Sequence, residues 1–349
     1  MALSYEYSIG SVRARENALF TKTDVEQLLG SKSSADLCQT LKDKGYGSGN
    51  SFDAIVDDHM EKVWTYLKSI APDFAVFTPF LIQNDVHNFK VTLKGIMSAR
   101  DYYKALMLSP CTVEHKDIIY AVEHRNMQKL PEWLAPAAEK AYELLAHSGD
   151  AKASDAVLDK AVMKEMLRLS GDLRSAFLKD YFKAQVFYNN IKIAIRAART
   201  GADKRYLKTA MVAFEGFDRD KIIAAAVKGS DALLDTLSKT SDFGCKQAIE
   251  EYKKSPSAFE KFVDDKLIIM AKESCKRASE GAEPMLGYYL GEEAQKKVLH
   301  IISSGINTAT DTDIIRERLR EIFGYKHCRH RRRRKHKVLF RCGTRYLSL

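Results

Sequence analysis

The glycine-rich run from Gly45 to Gly49 has a composition that could support chemistry, because closely spaced glycines let a backbone approach a phosphate group. A dinucleotide site needs such a run directly after a strand, whereas a helical pattern precedes this one, so we interpret it as a turn. The sequence contains no Gly-x-x-x-x-Gly-Lys-Ser/Thr loop, the form that holds the phosphates of ATP. We therefore expect that the chain does not hydrolyse nucleotides itself.

Histidine and cysteine are the residues best suited to bind zinc or to act in nucleophilic catalysis, and neither forms a recognised pattern here. No His-Glu-x-x-His or Cys-x-x-Cys pair occurs, and the His-Cys-x-His sequence at 327–330 precedes arginines that would repel a cation. His59 and His87 lie beside apolar stripes and His300 within one, where packing is the commoner role. We predict no catalytic, cofactor-binding or metal-binding residues and no enzymatic activity, although residues far apart in sequence could still meet in space.

The excess of positive charge is confined to the C-terminal end of the sequence. The chain has 56 Lys and Arg residues against 46 Asp and Glu, but residues 326–349 contain ten of the bases and no acid. The run Arg331–Lys335 could bind nucleic acid through phosphate charge, so a basic-tailed helical nucleic-acid-binding or scaffold protein is the alternative function. The remaining residues are balanced in charge, which argues against that alternative, and we expect no nucleic-acid partner.

Nearly every other segment shows the apolar period of an amphipathic helix, and no segment alternates with a period of two. The fold class is therefore predicted to be all-α. The stretch 172–198 contains no Gly or Pro and is predicted to form one helix roughly 40 Å long. The longest uncharged stretch, 74–84, is well short of the roughly 20 residues that cross a bilayer, so we expect no membrane span. The six scattered cysteines and the lack of a signal-peptide pattern are typical of a cytosolic protein.

Two phrases with polar residues at helical spacing recur along the chain. The longer phrase contains Asp85, Asn88 and Lys90 in its first copy, Asn190, Lys192 and Arg196 in its second, and Glu293 in a weaker third copy at 292–299. The shorter phrase is an Asp before aliphatic residues, and it occurs at Asp24, Asp117, Asp220 and Asp313. Repeats about a hundred residues apart predict three similar helical domains, 1–107, 108–213 and 214–325, followed by the basic tail 326–349.

The repeated polar residues are predicted to be structural. Asn88 and Asn190 flank apolar helix seams, where an amide usually satisfies a neighbouring backbone or side-chain group, with direct partner contact as the alternative. The Asp of the shorter phrase is predicted to lie at a helix start, where the helix dipole favours an acid. The residues expected to maintain the repeat geometry are Asp85, Asn88, Lys90, Asn190, Lys192, Arg196 and Glu293.

Further phrases accompany these repeats in a fixed order. The whole set is Tyr5-x-Tyr7, Val12-Arg13-Ala14-Arg15, Asp85-x-x-Asn88-x-Lys90, Asn190-Ile191-Lys192-x-x-x-Arg196, Pro284-Met285-Leu286-x-Tyr288-Tyr289-Leu290 with Glu293, and Asp313-Ile314-Ile315-Arg316-x-x-Leu319. In order and spacing this set resembles the C subunit of the V/A-type rotary ATPases, the prokaryotic relative of the eukaryotic d subunit. The resemblance covers residues 3–324, and Phe187 departs from it, because an acid at that position would complete the second copy.

The resemblance implies a funnel of three helical domains with pseudo-threefold symmetry. It places the protein peripherally at the cytoplasmic face of the cell membrane, on the proteolipid ring, with the central shaft of the D and F subunits in its hollow. The implied function is that of a non-catalytic rotor subunit that transmits torque for ion transport. The complex would transport either protons or sodium ions, and it would either hydrolyse or synthesise ATP. Under this interpretation Asp203 and Lys204, in the turn after the second copy, are candidate partner-binding residues.

The basic tail begins where the resemblance ends. With permitted codons, residues 326–335 shifted by one base read Ser-Ile-Ala-Val-Ile-Gly-Asp-Ala-Glu-Ser, which resembles the start of the F subunit, whose gene commonly adjoins this one. The hypothesis is that a frameshift fused the chain to its neighbour, so that the tail is not native. The alternative is a genuine basic extension that reaches acidic lipid headgroups. In either case we expect residues 326–349 to be disordered or weakly packed.

Overall fold

A computed structural model of the chain describes residues 4–173, 175–201 and 203–324. Within these ranges the regular structure is helical, and the only β pairing is an isolated bridge between Phe214 and Phe217. The predicted all-α fold is confirmed.

The basic tail 326–349, and with it the frameshift hypothesis, lies outside the described residues. The α-helices are α1 (Tyr5–Arg15), α2 (Lys22–Leu29), α3 (Ser34–Asp43), α4 (Phe52–Ile70), α5 (Thr78–Met97), α6 (His115–Glu123), α7 (Ala135–Ser148), α8 (Ala151–Asp172), α9 (Ala176–Thr200), α10 (Lys204–Ala210), α11 (Arg219–Lys228), α12 (Ser230–Ser238), α13 (Cys245–Lys254), α14 (Pro256–Cys275), α15 (Glu283–Asn307) and α16 (Thr312–Arg318).

The longest helices occur as three consecutive pairs, α4 with α5, α8 with α9, and α14 with α15, and one pair lies in each of the three predicted segments. Packing contacts run in the order α5, α8, α9, α14, α15, α4, so each pair packs against the next. A short 3-10 helix at Phe74–Phe77 leads from α4 back to α5. The division into three similar domains at the predicted boundaries stays a prediction.

An aromatic cluster joins the three pairs at the centre of the fold. Trp64 of α4 lies with its ring 4.5 Å from that of Tyr289 in α15, and Phe80 of α5 lies 5.1 Å from the same tyrosine. Phe182 of α9 completes the cluster, with its ring centroid 4.8 Å from that of Phe80. All four side chains are buried. Tilted and edge-on ring pairs contribute about 0.5–1.5 kcal/mol beyond area burial, so this cluster stabilises the packing of one pair on another.

The helix predicted over 172–198 is wrong at its start, because α8 ends at Asp172 and α9 begins at Ala176. Ser175 caps α9, its Oγ accepting a hydrogen bond from the backbone N–H of Leu178 at 3.3 Å. The same hydroxyl lies 2.9 Å from Glu283 Oε1 at the start of α15. The apolar period runs through this break without interruption, so period alone could not reveal it, whereas the serine cap is a local signal that could have.

The glycine-rich run forms a loop between α3 and α4, as predicted. At Gly47 the backbone has φ +159°, and a Cβ there would lie 2.3 Å from the carbonyl oxygen of Ile55. Asp58 of α4 holds the loop by accepting hydrogen bonds from the N–H of Ser48 at 2.7 Å and from its hydroxyl at 2.9 Å. The glycine therefore serves close packing of the loop on α4.

The acids of the shorter repeated phrase lie in first turns, as predicted. Asp24 belongs to α2, Asp117 to α6, Asp220 to α11 and Asp313 to α16. Asp24 also completes a capping box with Thr21, which satisfies two backbone donors at the start of that helix.

Candidate functional site

The two repeated asparagines form the same backbone clasp on α5 and α9. Asn88 donates from Nδ2 to the carbonyl of Leu108 at 2.9 Å, and its Oδ1 accepts from the N–H of Leu108 at 2.7 Å. Asn190 makes the equivalent pair with Val212, at 2.8 Å and 2.9 Å. Both asparagines have no exposed surface. Each amide thus fixes the chain that returns along its own helix.

A partial equivalent of this contact exists on α15, where a glutamine makes one backbone hydrogen bond instead of a pair. Counting along the repeat, Gln295 stands where Asn88 stands in the first copy, and its Oε1 accepts from the backbone N–H of Phe20. Its Nε2 donates to Glu292 Oε2 at 2.6 Å, and the same oxygen lies 2.9 Å from His59 Nε2. Gln295 therefore holds the segment after α1 against α15. This contact joins the N-terminal and C-terminal parts of the described fold.

Asp85 in the first copy and Phe187 in the second occupy equivalent positions but make different contacts. Asp85 accepts from the N–H groups of Thr112 at 2.7 Å and Val113 at 3.1 Å. Burial raises the pKa of Asp85, and the hydrogen bonds from Thr112 and Val113 act in the opposite direction. Phe187, which takes the place of an acid in the second copy, is buried and packs its ring 5.2 Å from that of Phe243. Ring packing there replaces the hydrogen bonds of Asp85.

The lysines of the repeat connect neighbouring long helices by ion pairs. Lys90 of α5 pairs with Asp159 of α8, and Lys192 of α9 pairs with Glu260 of α14 at 2.5 Å. Arg196 lies further along α9, exposed, and lines a cleft of about 400 Å³ between α5, α8 and α9 together with both lysines. Partly exposed pairs contribute little individually, about 0–1 kcal/mol, so these pairs orient the helices more than they stabilise them.

A central cleft of about 820 Å³ opens among α4, α5, α9 and α15. It is lined by aromatic side chains from all three long pairs, and we call it the shaft cleft, after the partner proposed for it below. Gln185 Nε2 donates to Gln83 Oε1 across the cleft at 3.3 Å, and Gln185 Oε1 is buried without a hydrogen-bond partner in the described chain. The lining includes Trp64, Thr65, Lys68, Phe80, Gln83, Tyr181, Gln185, Tyr289, Glu293, Lys296 and Lys297.

Glu293, predicted as a repeat residue, lies in the wall of the shaft cleft and is half-buried. Burial raises the pKa of Glu293 above its usual value. The neighbouring Lys296 and Lys297 and a hydrogen bond from Tyr289 offset only part of this effect. Its carboxyl group thus belongs to the polar part of the cleft wall, where it interacts with Tyr289.

Asp203 and Lys204 lie outside the shaft cleft, at the exposed start of α10. Asp203 Oδ1 accepts from the N–H of Tyr206 at 2.7 Å and so caps the helix. Lys204 is exposed and lines a separate cleft between α8 and α10. The first residue therefore has a local structural role in addition to any contact that it makes.

Comparisons with known proteins point to one family. A family model described as ATP synthase (C/AC39) subunit matches residues 8–318, which include all three long helix pairs. The chain belongs to this family. Its members are structural subunits of V-type ATPases, so the chain is a peripheral, non-catalytic subunit, and the predictions of family and of no enzymatic activity are confirmed.

Two kinds of relative illustrate how far the family resemblance extends. The C subunit of the V-type sodium ATPase of Enterococcus hirae is 21% identical over 320 residues, which are 89% of this chain and 97% of that protein. The C subunit of the V-type ATP synthase of Thermus thermophilus is 24% identical over 254 residues, which are 69% of this chain and 76% of that protein. No helix within the described ranges has the length and apolar character needed to cross a membrane.

One residue that sequence patterns did not single out for structural importance is Arg13. Its guanidinium pairs with Glu16 at 2.7 Å and donates to the carbonyls of Cys275 and Ala278, each at 2.9 Å. It thereby fixes α1 to the connection between α14 and α15. The arginine belongs to one of the family phrases, but its role could not be recognised from the sequence, because its partners lie 262 and 265 residues away.

Proposed function

We propose that this protein is the rotor coupling of a V-type ATPase, joining a central shaft of D and F subunits to the membrane proteolipid ring. In this proposal three helical units form a pseudo-threefold funnel at the cytoplasmic face of the membrane. The observation that carries it is the shaft cleft, to which each long helix pair contributes aromatic side chains. The names of the relatives, which belong to a sodium ATPase and to an ATP synthase, support membership of such a complex.

A torque-bearing element has to resist deformation between its two contacts. The Asn88 and Asn190 clasps, the ion pairs between long helices and the Arg13 contact all join segments that are distant in sequence. Contacts that transmit torque should also be permanent, and permanent assemblies bury roughly 2,000 Å² or more. These hydrogen bonds and ion pairs between helices support the proposed coupling role.

The shaft cleft is suited to hold a protein segment because its lining combines rings with polar groups. An apolar wall of rings can receive an anchor side chain of a partner, and such fully desolvated anchors supply much of the binding energy at protein interfaces. The unpartnered Gln185 Oε1 carries a desolvation cost that a donor on an incoming segment would remove. Tyr181 and Tyr289 add buried rings beside it.

Thr65→Trp is expected to weaken binding of a D–F shaft at least about tenfold, because the exposed Thr65 lines the shaft cleft and an indole would fill it. Ser69→Trp is the matched control, on the same helix, exposed and outside the lining. Binding of purified D–F to each variant measures the effect, with the melting temperature checked in parallel. Equal shaft binding by the two variants would exclude this cleft as the seat.

Lys204→Glu is expected to reduce co-purification with the proteolipid ring several-fold if the turn before α10 contacts the ring. Asp203→Ser is the companion variant, since a serine keeps the helix cap while removing the charge. Quantifying ring subunits recovered with each tagged variant provides the measurement. Recovery equal to that of the unaltered chain would remove this turn from the interface.

A further inference from the structure

The cleft that Lys204 lines is strongly basic. It lies between α8 and α10, has a volume of about 710 Å³ and shares no lining residue with the shaft cleft. We call it the basic cleft. Its basic lining residues are Lys160 and Lys164 on α8 and Lys204, Arg205 and Lys208 on α10.

None of these five cations has a carboxylate partner among the described residues, which contrasts with the lysines of the repeat. Three acids on the same two helices or at their ends have other partners, because Asp155 pairs with Lys94 through Oδ2, Asp159 pairs with Lys90 and Asp203 caps α10. Since residues 1–325 are balanced in charge overall, five unpaired bases around one concavity are a marked local excess.

Lys160 shows that the excess has an energetic cost. Its side chain is half-buried, and its Nζ donates to the carbonyl of Lys208 at 2.5 Å, which holds the ammonium group in the cleft. Burial lowers the pKa of Lys160, and the charges of Lys164 and Arg219 lower it further. An anion in the cleft would offset both effects, since opposite charges a few ångströms apart attract.

The arrangement of the charges selects the shape of the anion. Lys160 and Lys164 are four residues apart on one face of α8 and form a basic row about 6 Å long. Lys204 and Lys208 are four residues apart on α10 and form the row on the other side of the cleft. Two basic rows along a concave groove match an extended chain with several carboxylates better than a single phosphate or a flat bilayer surface.

We propose that the basic cleft docks an acidic segment of a partner protein through its carboxylates. This contact is separate from the shaft cleft and does not depend on torque coupling. Because it is largely electrostatic and exposed, it speeds encounter and weakens as salt is added.

The probe is a synthetic oligoglutamate peptide, joined to the full chain by a zero-length carbodiimide cross-linker and located by mass spectrometry. Cross-linking is used because residues 326–349 also carry ten bases and would bind the peptide in every variant. In the unaltered chain we expect cross-links to Lys160 and Lys204 at low salt. In Lys164→Gln/Lys208→Gln the yield at those two lysines should fall about fivefold, from the loss of two exposed charges.

Lys179→Gln/Lys228→Gln is the matched control, with the same loss of charge at exposed lysines outside the cleft, and should leave the yield unchanged. Lys164→Arg/Lys208→Arg should retain binding, which separates charge from folding. Equal cross-linking in the two glutamine variants would overturn the proposal. The proposal would also be overturned if the peptide gave no cross-links in the cleft while inorganic phosphate or vesicles of anionic lipid bound the unaltered chain more strongly than Lys164→Gln/Lys208→Gln. Shaft binding measured in the same variants should be unaffected, so that a failure here is distinguishable from a failure of the rotor proposal.

Discussion

A V-type complex assembled without this protein is expected to hydrolyse ATP while moving almost no ions. The reason is mechanical, since hydrolysis in the head can continue when the shaft turns free of the ring, but transport requires the ring to turn with it. The measurement is ATP hydrolysis and ion uptake in the same reconstituted vesicles, with and without the purified chain. Adding the chain back should restore ion uptake per ATP and should change hydrolysis much less.

Two controls make this result specific. The chain purified alone should show no ATP hydrolysis above background, as expected of a non-catalytic family member. Thr65→Trp should restore uptake less well than Ser69→Trp if the shaft cleft is the coupling seat. Ion uptake that is equally efficient without the chain would contradict the rotor proposal, whatever the basic cleft binds.

The helices and their buried faces could be predicted because both are local properties of the chain. The all-α fold class and the first-turn acids, such as Asp24 in α2, follow from residues within four positions of one another. Phe187 could be recognised as a departure from the repeat, but not its packing against Phe243. That contact depends on which helices meet, which the local pattern does not specify.

The contacts that join distant segments could not be predicted for the same reason. His59 meets Glu292 across 233 residues, and Gln295 reaches Phe20 across 275. The basic cleft likewise combines Lys160 with Lys204, from helices separated by the whole of α9. The net charge of residues 1–325 does not reveal this local excess, because a sum of charges does not say where each charge lies in space.

Asn190→Leu is expected to destabilise the chain by about 1–3 kcal/mol and to lower its melting temperature. The leucine would leave both the N–H and the carbonyl of Val212 without partners in a fully buried setting. Asn88→Leu should cost less, because its partner Leu108 is exposed, unlike Val212, and water can compensate for the lost bonds. Thermal unfolding followed by circular dichroism measures both variants.

The matched control is Asn189→Leu, which removes an adjacent, half-buried amide for which no hydrogen bond is present in the described structure. It should leave the melting temperature nearly unchanged. If the clasps are structural, Asn88→Leu and Asn190→Leu lose stability while the folded protein at low temperature keeps its binding to shaft and ring. Unaltered stability combined with lost binding would instead make the two asparagines partner contacts, and the equivalence of their backbone bonds would then need a different cause. The ordering of the two losses is the sharper test, since only a role in satisfying Leu108 and Val212 predicts that the deeper clasp costs more.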